Sequence, residues 1–349
     1  MRVLVATDRV GALSSARAGT LLADAWRERG ATVDVVPAGD AGAGFLAAAA
    51  AQHGLGLDVH AEGPAVVTSA ADERVGLVRV EDPEPVLGLP LTRSSAPLGR
   101  AVVTLLDVVR PARLLVDLTG LPMHDGGAGL LAALGGSADR PLDQGVAGLT
   151  GLSRLDLSAV RERLAGVELV GVVPPDELER PLLGLRGITS LRGREAGLDA
   201  EVLLRTDADL AALAEQVAPD HAATPGAGAC GGLGLAVLAL GGRLQTGADV
   251  TFGASPVAGT DLVVTGCSVF DFGSRGGGVV AEAARRAASV LAPCVVVAGE
   301  VLIGGREMRT LGIEAGYPVH RSDADLPAGG VTADELAATG RRVARSWSW

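Results

Sequence analysis

At 349 residues the chain exceeds one ordinary domain of roughly 100–200 residues and suits two. Its 48% apolar content supplies a large core and excludes disorder, and its 50 glycines follow no G-x-y period, which excludes a collagen-like repeat. With 2% aromatic residues and a net charge of −11, stacking on bases and attraction to phosphate backbones are both disfavoured, so no nucleic-acid partner is expected.

In chain order, the first elements read as a βαβ unit. Val3–Ala6 is a short apolar run of the kind a buried parallel strand carries. Ser14 or Ser15 can cap a helix whose Ala18, Leu21, Leu22, Ala25 and Trp26 form one stripe, and Gly30 ends it. Thr32–Pro37 reads as the next strand and Ala41–Leu55 as an Ala/Gly helix. Alternating runs at Val66–Ser69 and Val75–Val80 then suggest an antiparallel hairpin.

Helix and strand alternate again after the hairpin. Gly99–Val109, Gly127–Leu134 and Asp209–Val217 read as helices, and Leu114–Leu118 and Val167–Val173 as strands. In the last third, Leu262–Thr265 and Cys294–Ala298 read as strands, Val279–Leu291 as a helix, and Thr332 with Glu335 as a capping box. The apolar stretch Ala222–Gly242 opens with Pro225 and a run of glycines. Its helix is therefore about a dozen residues, short of the roughly 20 that a membrane span needs.

The expected fold class is α/β with two domains. A parallel Rossmann-like sheet domain combines both chain ends, 1–62 and 261–349. A middle flavodoxin-like α/β domain, 63–260, carries the hairpin insertion. Met1 leads straight into a strand, so no signal peptide is expected. Cys230, Cys267 and Cys294 show no C-x-x-C spacing and read as buried thiols. A cytoplasmic protein with no membrane association is the expectation.

Every one of the 30 residues in the Lys and Arg total is Arg, so P-loop and Schiff-base lysines are unavailable. Anions are left to Arg, helix N-termini or backbone N–H groups. Three segments combine glycine with acids at strand ends or helix starts. Asp8 ends the first strand, where an aspartate can hold Mg²⁺ or a substrate hydroxyl, or simply cap a turn. Asp125 precedes Gly126, Gly127 and Gly129 and can be an N-cap, a metal ligand or a catalytic base. His124 beside it can polarise a substrate group or be an ordinary surface histidine. In 224–242, Gly226, Gly228, Gly231 and Gly232 suit a phosphate cradle or close helix packing equally. Neither G-x-x-x-x-G-K-[ST] nor a correctly placed G-x-G-x-x-G occurs there.

These segments also carry a resemblance. Thr7-Asp8 with Ser15-Ala16, then Pro37 with Asp40, Gly42 and Gly44, are similar to the opening motifs of the bacterial glycerate kinase family. Asp125-Gly126-Gly127-Ala128-Gly129 resembles the end of its G-G-S-A-T-N-D-G-G-A-G motif, and Pro225–Gly234 its P-G-A-G-A-A-G-G-L-G block. Val264-Thr265-Gly266 with Asp271 resembles its V-T-G-E-G-x-x-D. The resemblance implies a two-domain kinase that transfers the γ-phosphoryl group of ATP, with Mg²⁺, to a hydroxyl of D-glycerate or a related small hydroxy acid. Its partners would be that acid and the nucleotide. It gives Asp8, Asp125 and Asp271 catalytic or Mg²⁺-binding roles. To Asp40, Gly126, Gly127, Gly129, Gly226, Gly228, Gly231 and Gly232 it gives substrate or phosphate binding.

The departures weigh on activity. Gly11 stands where the family has lysine, Ala43 and Cys267 where it has glutamate, and Gly277-Gly278 where it has G-K. Gly120–His124 replaces the G-S-A-T-N run, and Glu195-Ala196-Gly197 replaces Q-K-G. Each missing charge-assisted contact is worth roughly 1.5–3 kcal/mol. Arg9, Arg93, Arg192 and Arg275 are the candidate replacements for lysine. The alternative is a catalytically degraded member that binds a small acid or nucleotide, or regulates a partner.

Overall fold

The computed structural model describes residues 1–84, 86, 88–253, 257–320 and 330–348. The chain begins β1 Arg2–Thr7, α1 Ser15–Arg27, β2 Thr32–Pro37 and α2 Ala43–His53. Next come β3 Asp58–Glu62, β4 Ala65–Ala71, β5 Val75–Glu81, α3 Ala96–Val108 and β6 Arg113–Asp117. They are followed by α4 Ala128–Ala133, β7 Ser137–Ala138, β8 Leu155–Asp156, α5 Ser158–Arg163 and β9 Glu168–Val173. Then come α6 Ile188–Glu195, α7 Ala200–Val217, α8 Ala229–Ala239, β10 Arg243–Thr246 and α9 Gly247–Phe252. The chain closes with β11 Leu262–Asp271, α10 Gly277–Ser289, β12 Cys294–Leu302, α11 Gly305–Thr310, β13 Ala315–Pro318 and α12 Ala333–Ser346.

Two compact units result, 1–54 with 247–349, and 55–246. Both junctions lie upstream of those expected from sequence, for a reason of pairing. Strand β3 hydrogen-bonds to β4 and so belongs to the second sheet, while α9 packs on α2 and α10 of the first unit.

The first unit is a five-stranded parallel sheet in the order β13-β12-β11-β1-β2. Period-2 alternation sends Val3 and Val5 of β1 to one face and Leu4 and Ala6 to the other. On the first face α1 packs against α12, with Leu22, Trp26, Leu336 and Val343 buried. On the second, α10 contributes Val279, Val280 and Ala283. Each of these larger side chains contributes about 1.5–3 kcal/mol on full burial. Ser14 caps α1 through its hydroxyl, and Thr332 and Glu335 form the reciprocal capping box of α12.

The second unit is a six-stranded mixed sheet in the order β10-β9-β6-β5-β4-β3. Strands β5, β6, β9 and β10 run parallel, and β3-β4-β5 is an antiparallel meander that contains the expected hairpin. One core joins Val78, Val80, Leu114 and Val116 of the sheet to Leu98, Val102 and Leu131 of α3 and α4. The apolar stretch expected to hold a short helix does so as α8, whose backbone leaves helical geometry at Cys230, Gly231 and Gly232 before continuing to Ala239. Among the described residues no helix is long and apolar enough to cross a membrane.

Candidate active site at the switch point of the first sheet

From β1 the first sheet grows to β2 on one side and to β11, β12 and β13 on the other. The switch point is therefore the carboxyl end of the β1/β11 pair, where open α/β sheets bind ligands. Asp8 emerges there, its N–H donating to the Gly266 carbonyl of β11 at 3.0 Å. Its Oδ1 accepts from the Arg9 N–H at 2.7 Å. Burial pushes the Asp8 carboxyl up to about 6. The negative charge of Asp40 adds to the rise, while the N–H and charge of Arg9 oppose it.

Asp40 follows β2. Its Oδ2 accepts from the Gly278 N–H at 2.8 Å, so the carboxylate lies on the N-terminus of α10 across 238 residues of sequence. Gly277 makes this approach possible: it sits at φ 82°, and a Cβ there would collide with Asp40 Oδ2. Burial raises the Asp40 carboxyl, opposed by the N–H groups of Gly278 and Val279. Its Oδ1 is buried with no hydrogen-bond partner among the described residues.

Asp271 ends β11. Its Oδ1 accepts from the Ser274 N–H at 2.6 Å and the Ser274 hydroxyl at 2.8 Å, and the N–H bond leads in holding its carboxyl low. It caps the turn into α10. The Cys267 thiol, 4% exposed, lies within range of all three aspartates; burial first, then their charges, push it up to about 12. It stays protonated and inert at neutral pH.

Beside Asp8 opens a cleft of about 250 Å³, lined by Arg9, Ser14, Ser15, Ala43 and Gly44 among others. The N-termini of α1 and α2 border it. Helix α2 starts at Gly42, which has no side chain to cap it. Two helix N-termini, an arginine and a carboxylate of raised pKa in one small cleft suit a small anion that carries a hydroxyl.

Asp125 and the glycine blocks lie in the second unit, and packing accounts for their contacts. Asp125 is 0% exposed. Its Oδ2 accepts from the Ser95 N–H (2.7 Å), the Ser95 hydroxyl (2.8 Å) and the Gly129 N–H (3.1 Å), and its Oδ1 from the Gly127 N–H (2.9 Å). Burial raises its carboxyl against these four donors. The side chain ties the starts of α3 and α4 together, two residues before Gly127, the N-cap of α4.

Gly126 faces Leu213, Gly127 faces Ala236, and Gly129 abuts Ser94 and Ala96. In the 225–234 block, Gly226 abuts Leu244 and Leu178, Gly228 abuts Pro181, Gly231 abuts Met123, and Gly232 abuts Gly126. The N–H groups of Gly228, Ala229 and Gly232 donate to carbonyls of the fold, and that of Cys230 to Glu177 Oε2 at 3.1 Å. In all of these glycines the missing Cβ allows close packing against neighbouring elements. His124 is buried rather than on the surface, its Nε2 2.9 Å from Thr189 Oγ1. Burial, with Arg192 nearby, pushes the imidazole down to about 3, so it is neutral.

Fold and site thus define a two-domain α/β protein with coupled carboxylates at a topological switch point. The glycerate kinase family model matches residues 3–348. An uncharacterised protein of Mycobacterium bovis is 32% identical over 345 residues, covering 91% of this chain and 84% of the relative. The glycerate kinase of Bacillus subtilis is 29% identical over 268 residues, 73% of this chain and 68% of that enzyme. The crystal structure of a putative glycerate kinase 2 from Salmonella typhimurium superposes with a TM-score of 0.79 at 23% identity, covering 99% of this chain and 98% of the other. The chain belongs to the glycerate kinase family.

Proposed function

We propose that the protein transfers the γ-phosphoryl group of ATP to a hydroxyl of D-glycerate or a closely related small hydroxy acid. The observation that carries this reading is Asp8: a half-buried carboxylate with its pKa near 6, at the switch point, on a cleft bordered by two helix N-termini and Arg9. Arg9 and the N-termini of α1 and α2 hold the acid's carboxylate. Asp8 accepts the proton of the attacking hydroxyl as the new O–P bond forms and the bond to the β-phosphate oxygen breaks, releasing ADP.

The residues fit Mg²⁺. The partnerless Oδ1 of Asp40 is an oxygen donor beside a second carboxylate. Among the described residues no group of three or more His, Cys, Asp or Glu forms a complete metal cage, and Mg²⁺ is commonly held by one or two carboxylates plus substrate phosphates. Asp40 would hold the ion, which when bound neutralises phosphate charge. We assign Asp125 and Asp271 to positioning rather than chemistry, and we read the protein as cytoplasmic.

A second reading, a member that binds acid or nucleotide without turnover or regulates a partner, is favoured by one observation: Asp125 and the 225–234 glycines are consumed by packing. An ADP-release assay with Mg²⁺ across small hydroxy acids separates the two. Turnover supports the kinase. ADP silence on every acid, with thermal stabilisation by ATP or glycerate, supports the second.

A further inference from the structure

Gly11 stands where the family has lysine, and the turn after β1 has no room for one. Gly11 lies at φ 60°, and a Cβ there would stand 3.0 Å from the Val331 backbone nitrogen. A cation for the cleft must therefore come from another position. Of the four arginines available, Arg93 is closed in ion pairs with Asp82 and Glu84, and Arg192 lies 3.9 Å from Glu177 Oε1. Arg275 lies over the Phe272 ring, 5.9 Å from its centroid. Arg9 is the one that lines the cleft beside Asp8.

The Arg9 side chain is held by its own turn. Its Nε and Nη2 both donate to the Gly11 carbonyl, at 3.3 and 3.2 Å. Among the described residues its Nη1 makes no hydrogen bond. Gly11 is held in turn from the neighbouring strand. Its N–H donates to the Ser268 hydroxyl at 3.0 Å, and that hydroxyl donates to the Arg9 carbonyl at 3.3 Å. Ser268 lies two residues beyond Gly266, where β1 stops pairing with β11, so these bonds carry the contact between the strands on into the turn. Val10 and Leu13 close the turn with two backbone bonds of 3.1 Å.

In the register of the V-T-G-E-G resemblance, Ser268 stands where the family has glycine. Lysine and glycine are thus replaced by glycine and serine at two positions that hydrogen-bond to each other. A guanidinium already fixed by its surroundings loses less side-chain freedom on binding a carboxylate, and its planar fork suits that carboxylate.

Resting on the kinase reading above, we propose that Ser268 is a positioning residue. Through Gly11 it sets the Arg9 guanidinium on the cleft, where Arg9 binds the carboxylate of the hydroxy acid as the cation that position 11 does not supply.

Calorimetric titration of the full chain with D-glycerate and, separately, with ATP tests this. Arg9→Gln is expected to weaken D-glycerate at least tenfold and Ser268→Ala about three- to tenfold, with ATP affinity unchanged in both. Ser268→Thr, which keeps the hydroxyl, is expected to restore wild-type affinity. Adding Ser268→Ala to Arg9→Gln is expected to cost nothing further, because the serine acts only through the arginine. Melting curves equal to wild type certify that each variant is folded. D-Glycerate bound by Ser268→Ala as tightly as by wild type overturns the proposal, as does D-glycerate left unbound by wild type. A loss shared equally by ATP, or one that persists in full on the Arg9→Gln background, marks a merely structural role and also overturns it. If these binding responses appear but no ADP is released, the positioning role stands and the kinase reading falls. If glycerate is phosphorylated while its affinity ignores Ser268, the positioning role falls and the kinase reading stands.

Discussion

Two aspartates with similar glycine-rich neighbourhoods meet opposite fates. Asp8 keeps access to a cleft, and its folded pKa of about 6 lies above the unfolded value near 3.8. Between those values the native state binds more protons than the unfolded chain, so stability falls as pH rises and the penalty is fully present above pH 6. Asp8→Asn is expected to raise stability at pH 7 by about 1–3 kcal/mol. The gain should fade below pH 4, measured by urea unfolding across pH. Turnover should drop roughly 10²–10⁴-fold, the contribution of a positioned base. Asp125, by contrast, satisfies four donors in the core. Asp125→Ala strands them and is expected to cost about 3–5 kcal/mol, seen as a lower urea midpoint at unchanged m. Sequence placed both residues at the end of a strand or the start of a helix, and that much was legible. Their difference was not, because it depends on Ser95, 30 residues away, filling the space around one carboxylate.

Among the elements, those with strong periodicity or caps were readable: α1 from its apolar stripe and serine cap, α12 from Thr332 and Glu335, and the β4-β5 hairpin from its alternation. Strands β3 and β10 escaped because DVHAE and RLQT are short, charged edge segments whose strand state comes from pairing rather than propensity. The 225–234 block was legible as a turn but ambiguous in purpose. The structure shows why: at Gly232, φ is 92° and a Cβ would stand 2.6 Å from the Gly126 Cα. Gly232→Ala is therefore expected to destabilise by about 2–4 kcal/mol through strain and overpacking. ATP affinity per folded molecule should be unchanged, which a melting curve and a titration would check together. A phosphate-cradle role would instead show as lost affinity in a stably folded protein.

For the whole molecule, composition and topology carried the two-domain α/β class. The junctions near 54 and 246 needed the hydrogen-bonding partners of β3 and the packing of α9. Catalytic competence was left open between a kinase and a degraded member, because the resemblance shows several of the family's charged positions replaced, among them Gly11 and Gly277-Gly278. The most direct measurement is the pH dependence of ADP release with glycerate, ATP and Mg²⁺, comparing wild type with Asp8→Asn between pH 5 and 8. The expected result is turnover that rises with pH through about 6 to a plateau in wild type and is nearly lost in the variant. Turnover by Asp8→Asn equal to wild type, or no ADP from wild type with any small hydroxy acid, would contradict the account.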